Sequence, residues 1–229
     1  MIVLPRQRLV FPRIRKNTGA WLRGFLRRPG EETHSREWNG RSFRGNVNWR
    51  ELIAGAPDLA GFEAFVISRN PWSRLVSAFE WWKSKPETRH GITRANVAFL
   101  SDFPAFVTAL ARTAGLAASD PAVARQVAKL EAESKVRLQP ELACYASQWS
   151  YIIDDAGKVR ARHLPIESLS EALPAYLSER LGRPVTWREI NRNRNAKADW
   201  RSCYSDADAE TVGRLFADDI RHFGYRFDP

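Results

Sequence analysis

The alternation of apolar and polar positions predicts strands and helices in turn. Short continuous apolar runs at 8–14 (RLVFPRI) and 61–68 (GFEAFVIS) are typical of strands buried inside a parallel sheet. A basic turn and a short helix within 15–28 follow the first run, and a helix over 69–84 follows the second. In that helix Pro71 suits the first helical position, where its missing N–H costs nothing. This alternation favours an α/β fold around a mainly parallel sheet.

The later segments continue the pattern. Apolar periodicity predicts helices at about 102–115 and 121–136. A strand over 149–154, a tight turn and a second extended segment come next. A helix over 168–182 begins at a serine and ends at a glycine, and an amphipathic helix over 205–224 begins with a serine cap and an acidic first turn.

Composition indicates one globular domain. The chain has 229 residues, of which 44% are hydrophobic, and this is ample for a packed core. The polar stretches 29–50 and 188–202 are expected to be loops, and no repeat or linker divides the chain, so we expect a single domain over 1–229. Two cysteines without a ligand pattern and the lack of a long apolar run favour a cytoplasmic protein without a metal site.

Positive charge is concentrated near the amino terminus. Residues 1–50 contain eleven arginines and one lysine against three glutamates, which is most of the net charge of +10. This surplus favours a polyanionic partner: nucleic acid, an anionic lipid surface or a phosphate-bearing nucleotide. No recognition-helix or base-stacking motif accompanies it, so nucleic-acid binding is a remote alternative, whereas peripheral membrane contact through this region stays open.

The turns after the two predicted strands carry candidate anion ligands. Lys16 and Gly19 lie before a helix, where backbone N–H groups and the helix dipole favour phosphate or sulfate. Arg69 follows the second strand, and Arg74 and Ser77 lie three residues apart on one helix face. Open α/β sheets bind ligands at the carboxyl ends of their strands, so Arg69 is placed for a charge-assisted bond to phosphate. Structural ion pairs would account for these arginines equally well.

These residues resemble the donor-binding motifs of sulfotransferases. RNPWSRLVSAF (69–79) is similar to the family's 3′-phosphate motif, R-[DN]-P-x-x-R-[LF]-x-S-x-[YF], and IRKNTGAWL (14–22) is similar to its 5′-phosphosulfate loop. The D-x-x-G turn and E-x-L segment within 137–169 and the closing F-G-Y of 204–225 also fit the family. The resemblance covers most of the chain and is to the carbohydrate branch and its bacterial relatives.

The resemblance implies a fold, a donor and a reaction. The family's fold is a three-layer α/β sandwich related to P-loop nucleoside kinases, and its donor is 3′-phosphoadenosine 5′-phosphosulfate (PAPS), used without a metal. It implies sulfuryl transfer to a hydroxyl of a carbohydrate or glycolipid acceptor, with Lys16 steadying the charge on the bridging oxygen. The residues that it implies for donor binding are Lys16, Asn17, Thr18, Gly19, Ala20, Trp21, Arg69, Arg74, Ser77, Arg194 and Lys197.

The 5′-phosphosulfate loop departs from the family pattern. Ala20 and Trp21 stand where Thr and Ser hydroxyls normally face the donor. At about 0.5–1.5 kcal/mol for each neutral hydrogen bond, their loss predicts donor affinity lower by one to two orders of magnitude. Trp21 either faces the core or stacks against a ligand. This departure leaves open a catalytically impaired relative that still binds a nucleotide or a glycan.

The general base is a second departure. Some carbohydrate sulfotransferases place a His before a W-x-E-L segment, but in this chain Asn46 occupies that position and cannot take a proton. Glu80, three residues beyond Ser77 on the same predicted helix, and His90, in a predicted loop, are the leading candidate bases. Glu51 and Glu87 are the further alternatives.

Overall fold

The chain divides into two compact units. The computed structural model describes residues 1–14, 16–17, 19–26, 34–35, 37–43, 47–83, 102–113, 147–187 and 199–228. One unit, here the sheet unit, comprises Met1–Arg69 and Gln148–Arg192, and the other, the helical unit, comprises Asn70–Ser147 and Asn193–Pro229. The sequence predicts one domain over the same chain.

A five-stranded sheet is the centre of the sheet unit. Its strands are β1 (Ile2–Leu4), β2 (Leu9–Phe11), β3 (His34–Ser35), β6 (Glu63–Ser68) and β7 (Ala161–Pro165), and a separate hairpin contains β4 (Glu37–Trp38) and β5 (Arg41–Ser42). Their spatial order is β3-β1-β2-β6-β7. β2, β6 and β7 are parallel, and among the strands within the described residues β1 alone runs in the opposite direction, since it is antiparallel to both of its neighbours. The predicted α/β class and mostly parallel sheet are confirmed.

The helices fall into both units. The sheet unit contains α1 (Gly19–Leu26), α2 (Trp49–Gly55) and α5 (Leu169–Leu181), and the helical unit contains α3 (Pro71–Lys83), α4 (Phe103–Thr113), α6 (Asp206–Leu215) and α7 (Ala217–Phe223). Short 3₁₀ turns occupy Pro57–Gly61, Trp149–Tyr151, Ile166–Ser168 and Arg201–Cys203. The helices predicted from 69, 102 and 168 are confirmed to within two residues at each end, and the one predicted at 121–136 lies outside the described residues.

Both faces of the central strands are buried. Phe65 and Ile67 of β6 pack in one cluster with Leu22 of α1 and Leu173 of α5. On the alternate face of the same strand, Val66 is also fully buried. Burial on both sides explains why the sequence of β6 is a continuous apolar run rather than an alternating one.

Two sequence predictions need correction. The strand expected at 149–154 is a 3₁₀ turn followed by one isolated antiparallel bridge, Ile153 to Val159. On the turn side the ladder ends because Asp154 Oδ1 accepts from the N–H groups of Ala156 and Lys158. On the other side it ends because Trp149–Tyr151 are in the 3₁₀ conformation. The single helix expected over 205–224 is two helices, α6 and α7, because the chain leaves helical geometry at the buried Phe216.

The amino-terminal pattern is only partly as predicted. The strand expected within 8–14 is confirmed as β2, but β1 precedes it and pairs with it as a hairpin. The expected loop at 29–50 includes β3 of the main sheet, the hairpin of β4 and β5, and the start of α2. The unpredicted strands have only two or three residues each, too few for a period-two pattern to stand out.

Candidate functional site

The turn after β2 contains Lys16 and Asn17, as the sequence predicts. Lys16 is half-buried and has a φ of 68°, in the left-handed region. Asn17 is only 1% exposed, and its Nδ2 donates to the Ile67 carbonyl oxygen at 2.7 Å and to Gln148 Oε1 at 2.6 Å. Its Oδ1 has no hydrogen-bond partner among the described residues. The turn is therefore anchored on β6 by a buried side chain next to Lys16.

Arg69 follows β6 directly and comes close to this turn. Its Nη1 donates to the carbonyl oxygen of Lys16 at 3.4 Å. Gln148 makes two hydrogen bonds to the Arg69 main chain. Its Nε2 donates to the Arg69 carbonyl oxygen at 2.7 Å, and its Oε1 accepts from the Arg69 N–H at 3.0 Å. The structure thus brings two predicted ligands, Lys16 and Arg69, to the same edge of the sheet.

Gln148 was not predicted from the sequence. It is fully buried and lies 79 positions from Arg69 along the chain. An uncharged amide side chain gives no charge pattern or periodicity in the sequence, so the role of Gln148 is evident only from its neighbours in space. The one available hint is that it falls within 137–169, the segment that resembles sulfotransferases.

Trp21 packs against the core rather than standing open to a ligand. On α1 its ring stacks on Phe25, with centroids 4.7 Å apart, and contacts Trp187 at 5.1 Å. All three rings lie against the core cluster of the sheet unit. The first of the two interpretations of Trp21 is confirmed, and this side chain supplies no hydroxyl to the turn.

The start of α3, in the helical unit, is closed by its own cap. Asn70 Oδ1 accepts from the N–H groups of Trp72 and Ser73 at 3.1 and 3.3 Å, and the Asn70 carbonyl oxygen accepts from the Arg74 N–H at 2.9 Å. Pro71 has no N–H. The backbone donors of this first turn are therefore already used, and phosphate binding there would depend on side chains.

The remaining candidates on α3 differ in exposure. Arg74 is 1% exposed, and its guanidinium lies 5.8 Å from the ring centroid of Phe216. This placement gives Arg74 a packing role within the helical unit, and its contact with phosphate stays a prediction. Ser77 and Glu80 are half-buried on the same helix.

Glu51 has a structural role at the start of α2. Its carboxylate accepts from the Asn48 N–H at 3.0 Å, while Asn48 Oδ1 accepts from the Glu51 N–H at 2.9 Å, which is a complete capping box. This makes it a poor candidate base. The other predicted residues lie outside the described residues: Thr18, Asn46, Glu87, His90, Arg194 and Lys197.

His163 is a titratable group that the sequence reasoning passed over. It lies on β7, and its Nδ1 is 3.4 Å from the hydroxyl oxygen of Ser68 at the end of β6. Burial, followed by the nearby charge of Arg162, lowers the pKa of His163 below its ordinary value. This shift favours the neutral form of the imidazole.

The described parts of the chain are also informative about metals and membranes. Among these residues, no group of three or more His, Cys, Asp or Glu side chains is arranged to hold a metal ion. None of the helices within the described ranges has the length and apolar character required to cross a bilayer.

Comparison with known proteins adds no assignment. A scan against protein-family models finds no match to this chain, and a search of characterised proteins finds none either. The function must therefore be argued from the site. At the carboxyl edge of β2 and β6, the site presents a lysine and an arginine held by buried amides, an arrangement suited to an anion with more than one charged group.

Proposed function

We propose that the chain is a sulfotransferase that moves a sulfuryl group from PAPS to a hydroxyl of a carbohydrate or glycolipid acceptor. One observation carries the proposal: the Lys16 turn and Arg69 follow adjacent parallel strands, and Arg69 Nη1 lies 3.4 Å from the Lys16 carbonyl oxygen. In the resembling family, these two positions serve opposite ends of one donor. The parallel strands β2, β6 and β7, with α1 after the lysine turn, support the proposed three-layer fold of the P-loop nucleoside-kinase type.

The proposed reaction is an in-line displacement at sulfur. The acceptor hydroxyl oxygen forms a bond to sulfur while the bond between sulfur and the 5′-phosphate oxygen breaks, and that electron pair stays on adenosine 3′,5′-bisphosphate. Lys16 stabilises the charge that grows on this oxygen, and Arg69 holds the 3′-phosphate. The hydroxyl proton passes to a base, for which Glu80 and His90 are proposed from their places in the sequence, since Asn46 occupies the position of the family's His. The chain has two cysteines, too few for the disulfide framework of a small secreted domain, and this supports a cytoplasmic location for the reaction.

A non-catalytic relative is the second candidate function. The packing of Trp21 on Phe25 and Trp187 favours it, because this position gives the phosphosulfate loop no hydroxyl donor. Such a protein would bind the nucleotide, or a glycan, without transferring a sulfuryl group. Binding and transfer must therefore be measured separately.

Calorimetry with adenosine 3′,5′-bisphosphate tests the nucleotide site. We expect Arg69→Ala to weaken binding about 10- to 100-fold, because a charge-assisted hydrogen bond contributes about 1.5–3 kcal/mol. Arg6→Ala is the matched control, since Arg6 is exposed in the turn before β2, at the opposite end of that strand, and its loss changes the net charge equally. We expect the control to bind within twofold of the wild type at the same ionic strength. No binding by the wild type, or equal losses in both variants, would refute the site.

Transfer of labelled sulfate from PAPS to candidate glycans separates the two functions. If the chain is a sulfotransferase, the wild type labels an acceptor and Lys16→Ala abolishes the labelling. If the wild type binds the bisphosphate but labels no acceptor in a broad panel, the non-catalytic relative is the better assignment.

A further inference from the structure

Arg69 lies beyond the end of the sheet ladder. β6 pairs with β7 as far as Ser68 and Pro165, whereas its pairing with β2 ends at Ala64 and Val10. The main-chain polar groups that follow must find partners outside the strands, because a buried N–H or C=O group without a partner is strongly unfavourable. Which residue supplies those partners determines how firmly Arg69 is held.

Two buried side-chain amides supply them. We define the amide clamp as the side chains of Asn17 and Gln148 with the main chain of Ile67 and Arg69. Gln148 makes two hydrogen bonds to Arg69, one to the carbonyl oxygen and one from the N–H, which reproduces the bonding of a neighbouring strand. Asn17 donates to the Ile67 carbonyl oxygen and to Gln148 Oε1. The two amides are 1% exposed or less.

The amide clamp also reaches the lysine turn. Asn17 follows Lys16 directly in the chain, so the side chain that anchors the turn to β6 is bonded to the same Gln148 oxygen that accepts from Arg69. The bonds that define the clamp involve main-chain atoms of Arg69, and the Arg69 guanidinium donates separately to the Lys16 carbonyl oxygen at 3.4 Å. The amide clamp therefore fixes the main-chain positions from which the Lys16 and Arg69 side chains extend.

We infer that Gln148 is a positioning residue for nucleotide binding: through the amide clamp it sets the place of Arg69 relative to Lys16. This inference rests on the proposed function, in which these two cations bind the two anionic ends of one donor. A donor whose charged groups have a fixed spacing binds most tightly when the cations that contact it are already held at the matching spacing, because less ordering is required on binding. The alternative is that Gln148 serves only the packing of the sheet unit.

The two roles differ in how Gln148 and Arg69 couple. If Gln148 acts by placing Arg69, its substitution weakens binding much less once Arg69 is alanine, because Asn17 still anchors the Lys16 turn to the Ile67 carbonyl oxygen. A packing role would lower affinity equally in both backgrounds. The variants are Gln148→Ala, and Gln148→Met in case the smaller side chain prevents folding. Gln7→Ala is the matched control, because Gln7 lies in the turn between β1 and β2 at the other end of the strand.

Calorimetry of the full chain with adenosine 3′,5′-bisphosphate measures this coupling. We expect the Gln148 variants to bind about tenfold more weakly than the wild type and Gln7→Ala to bind within twofold. In the Arg69→Ala background, we expect the Gln148 variants to lose less than a further twofold. Equal losses in both backgrounds overturn the positioning role and leave the proposed function standing. A wild type that binds no bisphosphate overturns both.

Hydrogen exchange of the nucleotide-free chain tests the clamp without any ligand. The Arg69 amide is bonded to Gln148 Oε1 at 3.0 Å, so Gln148→Met is expected to accelerate its exchange at least tenfold. The Val66 amide, in the middle of β6, is the internal reference and is expected to keep its wild-type rate. An unchanged Arg69 rate in this variant, or the same acceleration at both amides, overturns the inference.

Discussion

Replacing Asn17 by aspartate is the sharpest test of the buried amides. The two side chains have nearly the same shape, but the carboxylate has no hydrogen to donate. Asn17 Nδ2 lies 2.7 Å from the Ile67 carbonyl oxygen and 2.6 Å from Gln148 Oε1, so the new oxygen would face two acceptors in a site that is 1% exposed. Asn17→Ala is the matched variant, since it removes the same bonds without adding charge.

The magnitude follows from these contacts. Two lost hydrogen bonds amount to about 1–3 kcal/mol in either variant. In Asn17→Ala this loss is partly offset, because Oδ1, which has no partner among the described residues, is removed as well. The extra penalty of the buried charge in Asn17→Asp is limited by protonation: raising a carboxyl pKa from about 3.9 to 7 costs about 4 kcal/mol at pH 7. The difference between the variants should therefore be at most about 4 kcal/mol, out of a total stability of about 5–15 kcal/mol.

Urea unfolding of both variants between pH 5 and pH 7 measures this difference. Burial raises the folded-state pKa of the introduced carboxyl above its unfolded value, so the folded state binds the extra proton and stability increases as pH falls. We expect the free energy of unfolding of Asn17→Asp to rise, relative to that of Asn17→Ala, by up to about 1.4 kcal/mol for each unit by which the pH is lowered in this range. Equal stability of the two variants at every pH, or a gap that widens on acidification, would refute the geometry assigned to Asn17.

Two further predictions concern the ends of helices and the buried imidazole. Ser205→Ala should cost about 1 kcal/mol of unfolding free energy, because Ser205 Oγ accepts from the Asp208 N–H at 3.2 Å; Ser168→Ala, at a cap position without such a bond, should change it by less than about 0.5 kcal/mol. Urea midpoints test this pair, and equal losses would contradict the assignment. Because burial lowers the folded-state pKa of His163, its contribution to stability is complete above the unfolded value of about 6.5 and is lost as pH falls below it. Between pH 8 and pH 5, the free energy of unfolding of the wild type should therefore fall relative to that of His163→Gln. A difference that does not depend on pH would contradict this.

Local signals account for the elements that the sequence predicts well. Pro71 at the first helical position marks the start of α3, and Gly182, with a φ of 60°, marks the end of α5. The strand β6 is evident because both of its faces are buried. Such features depend on a few neighbouring residues, which is why they can be recognised without knowledge of the fold.

The residues of the candidate site also differ in whether local sequence is enough to predict them. Lys16 and Arg69 are predictable because charged side chains in the turns that follow buried strands reach the carboxyl edge of a parallel sheet. Gln148 is not, because its partners are 79 and 131 positions away and its amide is neutral. The capping of α3 by Asn70 and the burial of Arg74 likewise depend on side-chain directions that spacing in the sequence does not specify.

The left-handed backbone at Lys16 has a consequence for any redesign of this chain. A residue with a Cβ in this conformation is about 1–2 kcal/mol less favourable than in ordinary helical geometry, and glycine alone adopts it freely. A design procedure that optimises thermostability would therefore select glycine at position 16 and remove the ammonium group. In this turn, the residue that best suits the backbone conformation differs from the residue that the proposed anion site requires.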